Sequence, residues 1–197
     1  MKPTDSWTAV DKAWIAGVLD GYGHVSGKRL VVPARSVLKV LMLHLGRRGH
    51  TDELRIEKGV EAALASYRRP DTPIPGGPRA SAAWLAAVLD THGSISIQRR
   101  PKQVYVPIVQ VAATREALVR RVCAEASAGT VLRVAPNRWR WRIAARTAHA
   151  FLERVGPYVL EKKHQVAVLQ RLREARALPR EEQARARAAC YEALRRT

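Results

Sequence analysis

The sequence predicts an α+β fold of two pseudo-symmetric halves, the first abbreviated and the second complete and extended by C-terminal helices. Three observations predict it. The stretch WIAGVLDGYGH at 14–24 returns without a gap as WLAAVLDTHGS at 84–94, which is an internal repeat. Between residues 94 and 144, apolar and polar residues alternate in runs bounded by turn-forming residues, the pattern of half-buried strands. Between the two copies, Arg69-Pro70-Asp71-Thr72-Pro73-Ile74-Pro75-Gly76-Gly77-Pro78 is too rich in proline and glycine for regular structure and reads as a linker. The expected boundaries are 1–70 for the abbreviated half, 71–79 for the linker and 80–197 for the complete half with its terminal helices.

The first copy of the repeat reads as a helix in which Ala13, Ala16, Gly17 and Asp20 recur at steps of three or four. Ala83, Ala86, Ala87 and Asp90 do the same in the second copy. Two stripes of small residues allow two helices to meet backbone to backbone, and Gly23 and Gly93 just beyond them allow a sharp turn into a strand. In the first half, Gly23 to Pro33 and a short piece near Glu53 to Glu57 look extended, while Ser36 to Gly46 and Gly59 to Tyr67 resemble helices of the second half. In the second half, Ser94 to Arg100 and Gln103 to Ala112 read as strands around Arg100-Pro101-Lys102. A helix follows over Arg115 to Ala128. Thr130 to Ala135 and Arg138 to Ala144 read as two further strands around Pro136-Asn137, and Arg146 to Val155 as a helix. Tyr158 to Ala177 and Glu181 to Arg196 read as helices separated at Pro179, with Glu181 and Glu182 suited to a first turn.

With 47% hydrophobic residues in 197, the chain has the material for a core without disulfide staples. Cys123 and Cys190 fall in no metal-type spacing and read as buried or incidental thiols. No stretch resembles a signal sequence or approaches the roughly 18 apolar residues of a membrane span, so the expectation is a soluble intracellular protein without a membrane partner. Thirty-five Lys and Arg against 17 Asp and Glu give a formal charge of +18, which points to a polyanionic partner, nucleic acid first.

The strands indicate where such a partner would lie. Arg138, Arg140 and Arg142 share one face of their strand, opposite Trp139, Trp141 and Ile143. Ser94, Ser96, Gln98 and Arg100 likewise share a face opposite Ile95 and Ile97. Tryptophans suit packing beneath helices. Arginines suit phosphates, and Gln or Arg suits base edges.

Ile15 to Gly23 and Leu85 to Gly93 resemble two degenerate copies of the LAGLIDADG motif of homing endonucleases. Gly129-Thr130-Val131, the strand Arg138 to Ile143, Phe151-Leu152, and Pro157-Tyr158 followed by Lys162 are also similar to that family. The resemblance implies an αββαββα half repeated about a pseudo-two-fold axis. The motif helices would form the interface through Ala13, Ala16, Gly17, Ala83, Ala86 and Ala87, and the sheets would form a saddle on duplex DNA. A chain with both motifs would be a monomer on a long asymmetric site. In the thinner first half, contacts would come from Lys28, Arg29, Arg35, Arg47 and Arg48.

The resemblance also implies that the last acid of each motif holds divalent metal ions. Here those positions are Tyr22 and His92, neither of which suits Mg²⁺ as a carboxylate does. Asp20 and Asp90 match an earlier, mainly structural acid of the motif. Lys162 matches a family lysine near the scissile region, and either contacts phosphate or simply faces solvent. The expectation is a double-stranded-DNA-binding protein with cleavage lost or weakened and no resident cofactor or metal. Two alternatives stay open: an endonuclease using Mg²⁺ in a site rearranged around Asp20, Asp90 or His92, and an RNA-binding protein that assists splicing.

Overall fold

The computed structural model describes residues 7–22, 24–26, 29–31, 74 and 76–195. The expected contacts at Lys28, Arg35, Arg47 and Arg48, the strand near Glu53 to Glu57, and the two first-half helices after Pro33 lie outside the described residues. Arg29 is described through its backbone alone. The chain divides into two compact units, Met1–Thr91 and His92–Thr197.

In the first unit, helix α1 (Ala9–Tyr22) is opened by Thr8. The Thr8 hydroxyl oxygen accepts from the backbone N–H of Asp11 at 3.1 Å, which satisfies one of the donors a helix start leaves unpaired, and the hydroxyl donates to the Asp11 carboxylate at 2.6 Å. The run expected to be extended over Gly23 to Pro33 holds two short strands, β1 (His24–Ser26) and β2 (Arg29–Val31), paired antiparallel as a hairpin. Helix α2 (Gly77–His92) begins earlier than composition suggests, since Gly77 and Pro78 form its first turn rather than linker. Proline fits there because a first-turn residue has no intrahelical acceptor for an N–H, and its fixed φ is already helical. From Ala82 to Asp90 every residue of α2 is buried, so the helix is covered on all sides rather than along one stripe.

The second unit is built on one antiparallel sheet. Strands β3 (Gly93–Arg100), β4 (Val104–Ala113), β5 (Thr130–Ala135) and β6 (Arg138–Ala144) lie in the order β3-β4-β6-β5. Helix α3 (Glu116–Ala126) joins the two hairpins and α4 (Ala145–Val155) follows β6, so the order from α2 to α4 is αββαββα. Two more helices close the chain, α5 (Lys163–Glu174) and α6 (Arg180–Arg195). The expected single helix over Tyr158 to Ala177 is shorter. Pro157 sits in a 3-10 turn, Gly156–Tyr158, after which Val159 and Leu160 are buried outside any helix, and Ala175–Ala177 tightens into a second 3-10 turn.

Helices α3 and α4 pack on β4 and β6, α5 packs on α4 and α6, and α6 reaches β3 and β4. The covered face carries Ile95, Ile97, Val109, Val111, Trp141 and Ile143, all buried. Trp141 is central: its ring lies 5.2 Å from that of Phe151, and its indole N–H donates to the Ala128 carbonyl at 2.8 Å. The close approach requires glycine next door. A Cβ on Gly129, whose φ is +98°, would stand 2.5 Å from that indole nitrogen. Tyr191 of α6 packs on Tyr105 of β4 with ring centroids 5.6 Å apart. Among the described residues, no helix is long and apolar enough to cross a membrane.

Candidate nucleic-acid interface

The sheet face opposite the one these helices cover follows from the pairing register. Ser94 pairs with Gln110, Gln110 with Arg142, and Arg142 with Thr130, so one row of four hydrogen-bonding side chains crosses all four strands. A second row, Ala112, Arg140 and Leu132, lies beside it, and Arg138 is paired to Ala135 beyond. In the other direction are Ser96, Ile108 and Ala144, then Gln98 paired with Val106. Gln98, Arg100, Arg138, Thr130 and Leu132 are exposed, while Ser94, Ser96, Gln110, Arg140 and Arg142 are half-buried. Across the four strands there are six arginines and no Asp or Glu, and the register puts four of the six, Arg100, Arg138, Arg140 and Arg142, on this face.

Two arginines on this face are held in different ways. Arg142 reaches across β4 to Gln98, its Nη2 donating to Oε1 at 3.3 Å. Arg140 stands between Ala112 and Leu132, and its Nε is buried with no hydrogen-bond partner among the described residues. A buried N–H without an acceptor costs about 1–3 kcal/mol, which a bound acceptor would relieve. Local sequence does not single out Gln110, because it sits in the otherwise apolar run Val104–Ala113. Only the register reveals it as the link between Ser94 and Arg142.

In the first unit, the motif helices meet through their small residues. A Cβ on Gly17 would stand 2.5 Å from the Trp84 carbonyl oxygen and 2.8 Å from Ala87 Cβ, so only glycine allows this approach. Ala13, Ala16, Ala83, Ala86 and Ala87 are all buried. The Trp84 indole donates to Asp20 Oδ2 at 3.0 Å, which ties the two helices by a side-chain bond, and Asp90 is buried at 8% exposure. Tyr22 ends α1 at 41% exposure.

His92 ends α2 and opens the second unit. Its pKa is lowered, first by burial and then by the positive charges of Arg115 and Lys162, so the neutral imidazole is favoured. Arg115 precedes α3 and Lys162 precedes α5, so two helix starts bring their cations to bear on His92. Two cations acting on one imidazole also disfavour a divalent cation there. Among the described residues, no group of three or more His, Cys, Asp or Glu is placed to hold a metal ion.

No family model matches the chain, and no curated protein matches it. Solved structures do. The chain is similar to the LAGLIDADG homing endonuclease I-GzeII in complex with a DNA target, with a TM-score of 0.52 at 9% identity over 92% of this chain and 97% of that one. It is also similar to the homing endonuclease I-CvuI in complex with its target, with a TM-score of 0.51 at 18% identity over 58% of this chain and 79% of that one. A third is the archaeal intron-encoded homing endonuclease I-Vdi141I complexed with DNA, with a TM-score of 0.50 at 12% identity over 59% of this chain and 83% of that one. The mixed helix and antiparallel-sheet architecture with C-terminal helices is therefore that of the LAGLIDADG homing endonuclease fold.

Proposed function

We propose that this protein binds double-stranded DNA through the sheet face of its second unit that lies opposite the packed helices, as a monomer, with phosphodiester cleavage lost or greatly weakened. The observation that carries the binding is a sheet face with arginine, glutamine, serine and threonine side chains on strands that hold no carboxylate. Arginines on that face suit phosphate oxygens and guanine edges, while Gln98 and Gln110 suit base edges. The similar folds that hold DNA support the same partner.

The residues at the motif ends do not fit a hard divalent metal ion. Tyr22 offers a phenol where a carboxylate would be needed, and His92 offers a nitrogen donor beside two cations. The Asp20 carboxylate bonds the Trp84 indole, which suits a structural acid. Lys162, whose charge bears on His92, suits phosphate contact.

Titration of the purified protein with duplex DNA at several salt concentrations, with and without Mg²⁺ or Mn²⁺, tests the proposal. Affinity that falls steeply with salt, together with intact DNA, supports it. Staggered double-strand breaks that disappear in Asp90→Asn overturn the loss of cleavage. Preference for structured RNA over duplex in competition overturns the choice of partner.

A further inference from the structure

Resting on that DNA-binding reading, we infer that Gln98 and Arg142 act as one recognition unit for guanine in the major groove. The two side chains come from strands that are not neighbours, β3 and β6, and meet across β4. Ile108, which the register places on the same face between Ser96 and Ala144, is only 7% exposed although the face is uncovered by helices of its unit. The bridge passes from the Arg142 end of β4 to the Gln98 end, and Ile108 lies on the path between them. The contact thus joins two elements of the face into one platform.

The bond also fixes what the pair offers. Arginine only donates, so the glutamine atom facing it is the carbonyl oxygen, and the NH₂ group points away with both donors available. Arg142 keeps its remaining guanidinium donors. The pair therefore presents mostly donors over a short span, with one lone pair of its only side-chain carbonyl taken by the internal contact. In the major groove guanine shows two acceptors, O6 and N7. Adenine shows one acceptor, N7, beside an amino donor that would face other donors, cytosine shows only an amino donor, and thymine shows a single acceptor beside a methyl group. Because only guanine offers two acceptors to a fork of donors, such a pair selects guanine under Arg142, with guanine or thymine favoured on the adjacent base under the Gln98 amide. Each side chain orders the other before binding, so less rotamer freedom is lost on association.

The test is selection from a randomised duplex library, followed by sequencing of bound DNA, with wild type, Gln98→Ala, Arg142→Ala, Arg142→Lys and the double alanine variant. The pair is expected to give a guanine with guanine or thymine beside it. Preference for that guanine falls about tenfold or more in Arg142→Ala and in Arg142→Lys, which keeps the charge but not the fork. Gln98→Ala weakens the same guanine as well as the adjacent position, and the double variant loses less than the sum of the two singles. Two singles that relax separate positions additively, or an adenine or cytosine at the affected position, overturn the inference. Salt-dependent duplex binding with no enriched sequence overturns the pair while sparing DNA binding. No salt-dependent duplex binding by the wild type overturns both.

Discussion

Replacing Gly17 by alanine sets two opposed effects against each other. In an isolated helix the substitution stabilises by about 1 kcal/mol, because glycine loses more backbone freedom on folding. In this protein the new methyl would lie 2.5 Å from the Trp84 carbonyl oxygen and 2.8 Å from Ala87 Cβ, and the nearest obstacle is backbone. Neither helix can yield by rotating a side chain, so α1 and α2 must part by roughly 1 Å, a gap that forfeits a quarter to a half of each contact's dispersion energy along the seam. Overpacking of a close-packed core costs about 1–3 kcal/mol, and a backbone obstacle at 2.5 Å puts this site in the upper part of that range, about 2–3 kcal/mol, which outweighs the propensity gain. The expected net effect is destabilisation by about 1–2 kcal/mol. Urea unfolding followed by tryptophan fluorescence measures it, since Trp14 and Trp84 are both fully buried in these helices. Gly21→Ala is the internal control. Its methyl would meet the Thr91 side chain rather than backbone, so the cost should be smaller and partly recovered in Gly21→Ala combined with Thr91→Ala. A Gly17→Ala protein as stable as the wild type, or more stable, refutes the backbone-to-backbone contact.

Gly129→Ala should destabilise by about 2 kcal/mol or more, because the new Cβ meets Trp141, Ile143 and the Arg142 carbonyl at a positive φ, and chemical denaturation measures the loss. His149 of α4 is 6% exposed, and burial, aided by Arg176 and Arg173, lowers its pKa from 6.5 to about 4. The unfolded chain therefore binds a proton that the folded chain refuses. Stability is fully present above pH 6.5 and is lost as pH falls from there towards 4. The difference in pH dependence between the wild type and His149→Gln should level at about 3 kcal/mol below pH 4, while carboxylates common to both cancel. Burial raises the pKa of the Cys190 thiol against a weaker opposing pull from Arg171, so alkylation at neutral pH followed by mass spectrometry should modify half-exposed Cys123 before Cys190.

The strands are legible in the sequence because their alternation is strong. Thr130–Ala135 and Arg138–Ala144 stand where the period-two pattern puts them, with Trp141 and Ile143 inward. Helix ends are less legible because proline's local rule depends on position. Pro78 reads as a breaker yet fits a first turn, and Pro157 lies in a 3-10 turn that delays α5 to Lys163. The polar rows of the sheet are only half visible. Arginines and serines on one strand announce a face, but Gln110 joins them through pairing partners far away in sequence. The Gln98–Arg142 bond and the buried Nε of Arg140 likewise depend on register and twist, which no local spacing encodes.

The most direct measurement is the salt dependence of duplex affinity for two triple variants that remove equal charge. One carries Arg138→Ala, Arg140→Ala and Arg142→Ala on the sheet; the other carries Arg146→Ala, Arg180→Ala and Arg185→Ala at exposed positions on the helices. Removing one arginine from a phosphate should flatten the plot of log affinity against log salt by about 0.9, so the sheet variant should lose roughly 1–3 in slope and most of its affinity, and the helix variant little of either. Equal losses in both variants, or an unchanged slope in the sheet variant, would contradict a DNA-binding sheet.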